Sequence, residues 1–213
     1  MSRNNGRKIK LGGLISYQPR WGLTLRGWMG IFLLFSLIFW LTLFQLEAFF
    51  ALSAPVEAEI LVTEGWISDN ALRGAIAEFK RKPYQLLITA GSDLGRGELL
   101  LEYKDFAHLS QATLINLGFD PQKIQPIRTP IVKRDRTLNS ATEVKKWLMK
   151  QKFNTSGINI YSENVHGRRS WLIYRKVFEP EIKVGVISHP PQNYDPEAWW
   201  TNGQSRLRLF KAE

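Results

Sequence analysis

Two short segments hold most of the side chains able to grip or move charge: Lys133-Arg134-Asp135-Arg136-Thr137 and Glu163-Asn164-Val165-His166-Gly167-Arg168-Arg169. Arginine presents a planar fork of N–H donors that matches a phosphate, sulfate or carboxylate bidentately. Histidine titrates near neutrality, so His166 is a candidate general acid or base, and its arginine neighbours would lower its pKa. Three smaller groups carry the other polar candidates: Glu64-Gly65-Trp66, Gly91-Ser92-Asp93 continuing to Gly95 and Gly97, and Ser188-His189. The chemistry these residue types suggest is recognition of an anion. A structural reading stands beside it: the arginines pair with Glu64, Asp93, Asp135 or Glu163, and His166 caps a helix or bonds a neighbouring loop.

Several familiar chemistries do not fit the pattern. The chain has no cysteine, which excludes a disulfide framework, a thiol nucleophile and thiolate metal ligands. His108, His166 and His189 are far apart in sequence and no H-E-x-x-H occurs, so no metal site is expected. The loop at 91–97 is neither G-x-G-x-x-G nor a Walker loop, because no Gly-Lys-Ser/Thr follows it. No G-x-S-x-G elbow is present. Asn154-Thr155-Ser156 is formally a glycosylation sequon with nothing else to support it. No cofactor is identified by these residues.

The elements that must position the polar groups follow from periodicity. Across residues 55–213, apolar runs at 58–63, 84–90, 124–128, 158–162 and 182–188 read as strands, the third interrupted by Pro126. Between them, 68–81, 101–117, 138–151 and 167–178 read as helices, with Ser68 or Asp69 as an N-cap and Gly118 as a stop. Strand–helix alternation with near-continuous apolar strands predicts an α/β fold, a Rossmann-like three-layer sandwich with a mostly parallel sheet of about five strands. The pattern does not fix the strand order. In such folds ligands bind beyond the carboxyl ends of the strands, at a topological switch point, and each polar group above follows one predicted strand. Arg134, Arg136, His166, Arg168 and Arg169 fall at helix starts, where the dipole favours anions and acidic side chains are usual.

Upstream lies a different kind of segment. Residues 27–46 (GWMGIFLLFSLIFWLTLFQL) carry no charge, and about 20 apolar residues span a hydrocarbon core of ~30 Å. Residues 27–50 are therefore expected to form one transmembrane helix after a basic cytoplasmic tail, 1–26, with tryptophans 21, 28 and 40 as interfacial anchors. A signal peptide is the competing reading, but its apolar core would be shorter, roughly 7–15 residues. Of the net charge of +10, Arg3, Arg7, Lys8, Lys10, Arg20 and Arg26 supply six, leaving +4 for the rest. With Glu47, Glu57 and Glu59 on the other flank, the positive-inside rule predicts a single-pass cell-membrane protein, N-terminus cytoplasmic, soluble domain extracytoplasmic. Basicity concentrated beside an apolar run points to the lipid bilayer as partner and not to nucleic acid. Oligomeric state is not legible.

With these residues in hand, the domain resembles the SanA/ElyC/YdcF family of bacterial envelope-associated proteins over about residues 57–200. The likeness rests on Glu64-Gly65-Trp66, on Arg73, on Ala90-Gly91-Ser92, and on Arg136-Thr137 with Ser140-Ala141, similar to the family's T-x-x-N/S-A segment. Its strongest part is His166-Gly167-Arg168-Arg169-Ser170, similar to H-x-R-R-A/S. The resemblance implies a Rossmann-like fold and a role in cell-envelope biogenesis or barrier maintenance, without securely implying a reaction. Two departures stand out. Glu64-Gly65-Trp66 replaces the glycine cluster of many members, and the chain ends soon after Trp199-Trp200-Thr201-Asn202-Gly203, where relatives often continue through another helix.

Strand ends and resemblance together nominate Glu64, Gly65, Arg73, Gly91, Ser92, Arg136, Thr137, Asn164, His166, Arg168 and Arg169 as ligand-binding residues, with His166 also the catalytic candidate. The expected function is a membrane-anchored envelope protein whose arginine-lined crevice binds an anionic small molecule or lipid-linked cell-wall intermediate. One alternative is a non-catalytic interaction module using Trp199 and Trp200. The other is a nucleotide or S-adenosylmethionine site, suggested by the fold and some relatives, which requires a cytoplasmic domain.

Overall fold

Short runs near the N-terminus include Ile15, Tyr17 and Trp21, residue types that favour extended backbone. In the computed structural model these runs form three short strands, β1 (Ile9–Lys10), β2 (Ile15–Tyr17) and β3 (Trp21–Leu23), paired antiparallel in that order. The structure describes residues 9–10, 15–17, 21–95 and 102–192. Gly97, Trp199, Trp200 and several of the N-terminal basic residues lie outside them.

Helix α1 (Leu25–Phe50) starts two residues earlier than expected because the Thr24 hydroxyl accepts the Gly27 N–H at 3.2 Å. Its apolar window has a mean hydropathy of 2.1. At 26 residues it is roughly 39 Å long, long and apolar enough to cross a membrane. Trp28, Phe32, Phe35, Ile38 and Trp40 are each at least half exposed, so no single face is marked for a protein core. The chain divides into two units, Met1–Leu46 and Glu47–Glu213; the last turn of α1 belongs to the second.

The second unit alternates strand and helix: β4 (Ile60–Glu64), α2 (Asp69–Arg81), β5 (Leu86–Gly91), α3 (Phe106–Asn116), β6 (Ile124–Arg128), α4 (Arg136–Gln151), β7 (Gly157–Glu163), α5 (Gly167–Phe178) and β8 (Lys183–His189). The five strands are all parallel, in the order β6-β5-β4-β7-β8. The first strand of this unit, β4, is thus central, and the order reverses direction between β4 and β7, which makes that junction the switch point. Pro126 fits β6 because β6 is an edge strand, with one side free of ladder bonds.

Period-two alternation sorts the strands onto two cores. Ile60, Val62, Ile88, Ile158, Ile160, Val184 and Val186 pack with Ala141, Val144 and Leu148 of α4 and Tyr174 and Phe178 of α5. Leu61, Leu87, Ile124 and Tyr161 pack on the other face with Ala71, Leu72, Ala75 and Phe79 of α2 and Leu114 of α3. Helices therefore cover both sides of a buried sheet, as parallel pairing requires.

Between α1 and β4 the chain runs as a strap along β8. Ala54 bridges Val186 antiparallel, with N–H···O distances of 2.8 and 3.1 Å. Ser188 donates its N–H to Ser53 Oγ at 2.9 Å and its hydroxyl to the Leu52 carbonyl at 2.7 Å. The Asn159 side chain passes Gly185 to bond both the N–H and the carbonyl of Val56, at 2.9 and 2.8 Å. The strap thus enters at the carboxyl end of the sheet and leaves at the amino end, where β4 begins.

Candidate functional site

Beyond the carboxyl ends of β4, β5 and β6 a cavity of about 840 Å³ opens on the α4–α5 side of the switch point. Glu64 lies in it because Ile60, Val62 and Glu64 share one face of β4, the face packed against α5. From β5 come Ala90 and Gly91, from just beyond it Ser92, and from the start of α3 Phe106. The segment after β6 supplies Lys133, Arg134 and Asp135, and the first turns of α4 supply Arg136, Thr137 and Ser140. The turn after β7 and the start of α5 supply His166, Arg169 and Ser170. Trp66 completes the wall, its ring edge-on to the His166 imidazole with centroids 4.8 Å apart.

Two helices present their N-termini to this cavity without a side-chain cap. Asp135, before α4, sits at φ 57° with no cap bond, and His166, before α5, makes none either. Neither helix has an acidic residue in its first turn. α4 therefore keeps first-turn N–H groups and the positive dipole end for something else, whereas at α5 the Gly167 N–H is already taken by the Asn164 carbonyl. α2 and α3 behave differently: Ser68 and Asp105 accept the N–H groups of Ala71 and His108 at 3.3 and 2.8 Å. The left-handed Asp135 and Asn164, at φ 57° and 55°, both stand in the approaches to the uncapped helices. Asp and Asn are the non-glycine types that bear this conformation most cheaply.

Glu64 is 5% exposed. The Ser170 hydroxyl donates to Glu64 Oε1 at 2.8 Å, and the Ser162 hydroxyl donates to Oε2. Burial pushes the Glu64 carboxyl up from its ordinary range, opposed by bonds from Ser162, Ser170 and Trp66 and by the positive charge of Arg169. The Tyr174 phenol, on the same stripe of α5, is pushed up by burial and by the Glu64 charge.

The structure brings Glu64, Gly91, Ser92, Arg136, Thr137, His166 and Arg169 to one cavity and directs the other nominees elsewhere. Gly65 serves packing: a Cβ there would stand 2.8 Å from the Phe106 carbonyl oxygen, and its own carbonyl accepts the Ser110 hydroxyl at 2.6 Å. Arg73 is exposed on α2, across the sheet from Glu64. Asn164 is buried in the turn leading to α5. The Arg168 guanidinium lies 4.0 Å above the centroid of the Phe49 ring and donates from Nε to the Phe49 carbonyl, at the end of α1. The group after β8 is also used structurally: Ser188 holds the strap, and His189 bonds Tyr161 Oη at 2.9 Å and Asn70 Nδ2 at 2.7 Å. Burial holds His189 below the usual histidine range.

Two of the acids offered as partners for the cavity arginines, Asp93 and Glu163, are engaged elsewhere. Asp93 takes a bidentate fork from Arg128 at 2.7 and 2.8 Å. Glu163 accepts the N–H and hydroxyl of Ser68 at 2.9 and 3.1 Å. Among the described residues no ion pair engages Arg134 or Arg136. Ser162, Tyr174 and Phe106 were not nominated from sequence. The first had a legible signal, since Ile158, Ile160 and Ser162 alternate as Ile60, Val62 and Glu64 do.

Fold and site define a class: a Rossmann-like α/β domain with a cation-lined cavity at its switch point, preceded by one helix able to cross a membrane. No protein-family model matches the chain, and no curated protein matches it.

Proposed function

We propose that this is a membrane-anchored protein of the bacterial cell envelope, akin to the SanA/ElyC/YdcF family, whose cavity binds a phosphate- or carboxylate-bearing ligand. α1 is the anchor, the basic N-terminus stays cytoplasmic, and the second unit faces the extracytoplasmic side, following the charge asymmetry across α1. One observation carries the binding reading: two uncapped helix N-termini converge on a cavity that also holds Lys133, Arg134, Arg136 and Arg169. Fixed N–H dipoles and guanidinium forks together suit an oxyanion better than either alone.

The test is thermal unfolding of the full-length protein in detergent with inorganic phosphate, pyrophosphate, glycerol phosphate or S-adenosylmethionine. A ligand at about 100 times its dissociation constant adds about 2.7 kcal/mol, a readily measured shift. Arg169→Ala should weaken anion binding about tenfold or more, the worth of a charge-assisted fork. Arg168→Ala, which alters the Phe49 contact, should leave it within a factor of about two. Equal affinity in wild type and Arg169→Ala would sink the reading. Stabilisation by S-adenosylmethionine alone would move the protein to the nucleotide-like alternative.

A further inference from the structure

We infer that the cavity's ligand is a hexose phosphate, its sugar ring laid on the Trp66 indole while its phosphate sits among the cations at the start of α4. The inference rests on the anion-binding reading and adds the body of the ligand. Three observations within the second unit carry it.

The first is room. Cavities of about 300–1,000 Å³ hold whole small molecules, and this one, at about 840 Å³, has far more space than a lone phosphate fills. Lys133, Arg134 and Arg136 all belong to one stretch of its lining, just before and at the start of α4. Trp66 comes from another, the turn between β4 and α2. A ligand that touches both is an anion with a body attached.

The second is how Trp66 is held. Gly65 donates its N–H to the Ala90 carbonyl at 2.8 Å, and its own carbonyl accepts the Ser110 hydroxyl at 2.6 Å. On the other side Ile67 is buried in the core against α2, and Ser68 caps that helix while bonded to Glu163. The backbone at 66 is thus pinned from both directions, yet the indole between two buried neighbours is 43% exposed. Its ring meets two other residues of the cavity: the edge-on His166 imidazole, and Glu64, whose carboxylate the Trp66 side chain bonds. A large ring shown to water forgoes the gain of burial until something covers it. Shown on a fixed backbone, it binds a flat apolar surface with little ordering cost.

The third is the chemistry around the ring. Ser92, Thr137, Ser140 and Ser170 put hydroxyls on the same wall, and a hydroxyl both donates and accepts. A pyranose offers matching surfaces: a C–H face, which the negative face of an aromatic ring attracts, and a rim of hydroxyls. A nucleobase would stack on the indole too, but it carries no hydroxyl rim to meet that wall.

The test is isothermal titration calorimetry of the full-length protein in a sugar-free detergent, with inorganic phosphate, glycerol phosphate, glucose 1-phosphate and adenosine monophosphate as probes. Glucose 1-phosphate should bind about tenfold tighter than glycerol phosphate, which has the same charge and no ring. Trp66→Leu, apolar but not flat, should bring that ratio to about one, and Trp66→Phe should keep it within a factor of about three of wild type. The ratio is taken between probes on one preparation of each variant, so a loss of folded protein cancels. Equal binding of glucose 1-phosphate and glycerol phosphate by wild type overturns the hexose assignment while leaving anion binding intact. So does a ratio unchanged in Trp66→Leu, or tighter binding of adenosine monophosphate than of glucose 1-phosphate. Binding of none of the probes overturns anion binding and this inference with it.

Discussion

A carboxyl group buried at the end of a central strand is costly when charged, because the surroundings cannot replace its hydration. Glu64 offsets part of that cost with two serine hydroxyls and the nearby charge of Arg169, yet burial still dominates and raises its pKa. The sign of the pH effect follows. Between the unfolded value near 4.5 and the higher folded value, the native state holds more protons than the unfolded chain, so Glu64 subtracts stability as pH rises through that window. Glu64→Gln keeps the shape and removes the titration. Its melting temperature relative to wild type should climb from pH 4 to pH 8, and a pH-independent difference would show that Glu64 does not titrate with folding. An anion bound beside Arg169 competes with Glu64 for the same cation, so a protonated Glu64 favours the loaded site.

At the scale of elements, the site is made by what two helices lack. Capping residues close the starts of α2 and α3, while α4 and α5 begin with Arg136 and Gly167 and no acid. The sheet's opposite end is built for closure instead. Glu59 accepts the Thr155 hydroxyl at 2.7 Å, the Ser156 N–H at 3.0 Å and the Ser156 hydroxyl at 2.9 Å, tying the α4–β7 connection to the start of β4. Those bonds, Thr155 foremost, hold its carboxyl down to about 2. A depressed carboxyl contributes stability that is complete above the unfolded value and is lost as pH falls through the folded one. Glu59→Gln should therefore cost about 1 kcal/mol at pH 7, discounted for solvent screening, and the difference should disappear toward pH 2 in urea titrations.

Most of these elements were legible in sequence, since apolar runs mark buried strands directly. The bounds of β6 and α5 were read as found, but α3 starts at Phe106, not near 101, because Asp105 caps it and bridges Asp93. α4 starts at Arg136, two residues early, because the left-handed Asp135 turns the chain there without a side-chain cap, a signal no periodicity carries. Strand order arises from long-range pairing that local pattern does not encode, and so does the meeting of Arg168 with Phe49.

For the whole molecule, the strap opens the second unit, and Gly185 is one of the points where it runs closest to the sheet. A Cβ at 185 would meet Asn159 Oδ1 and stand 2.5 Å from the Val56 nitrogen and 3.0 Å from the Ala54 carbonyl oxygen. Backbone atoms cannot step aside as side chains do. Gly185→Ala should destabilise by about 1–3 kcal/mol, the usual cost of overpacking, and should speed protease cleavage within residues 50–57. Unchanged melting and cleavage would mean the strap contributes nothing to the fold.

The strap also sets a schedule. Its partner in β8 is made about 130 residues after Ala54, on the order of ten seconds later at usual rates of synthesis. During that interval the apolar helix is already complete, while the edge that fastens the strap does not yet exist. The strap is thus drawn onto the sheet only when β8 arrives.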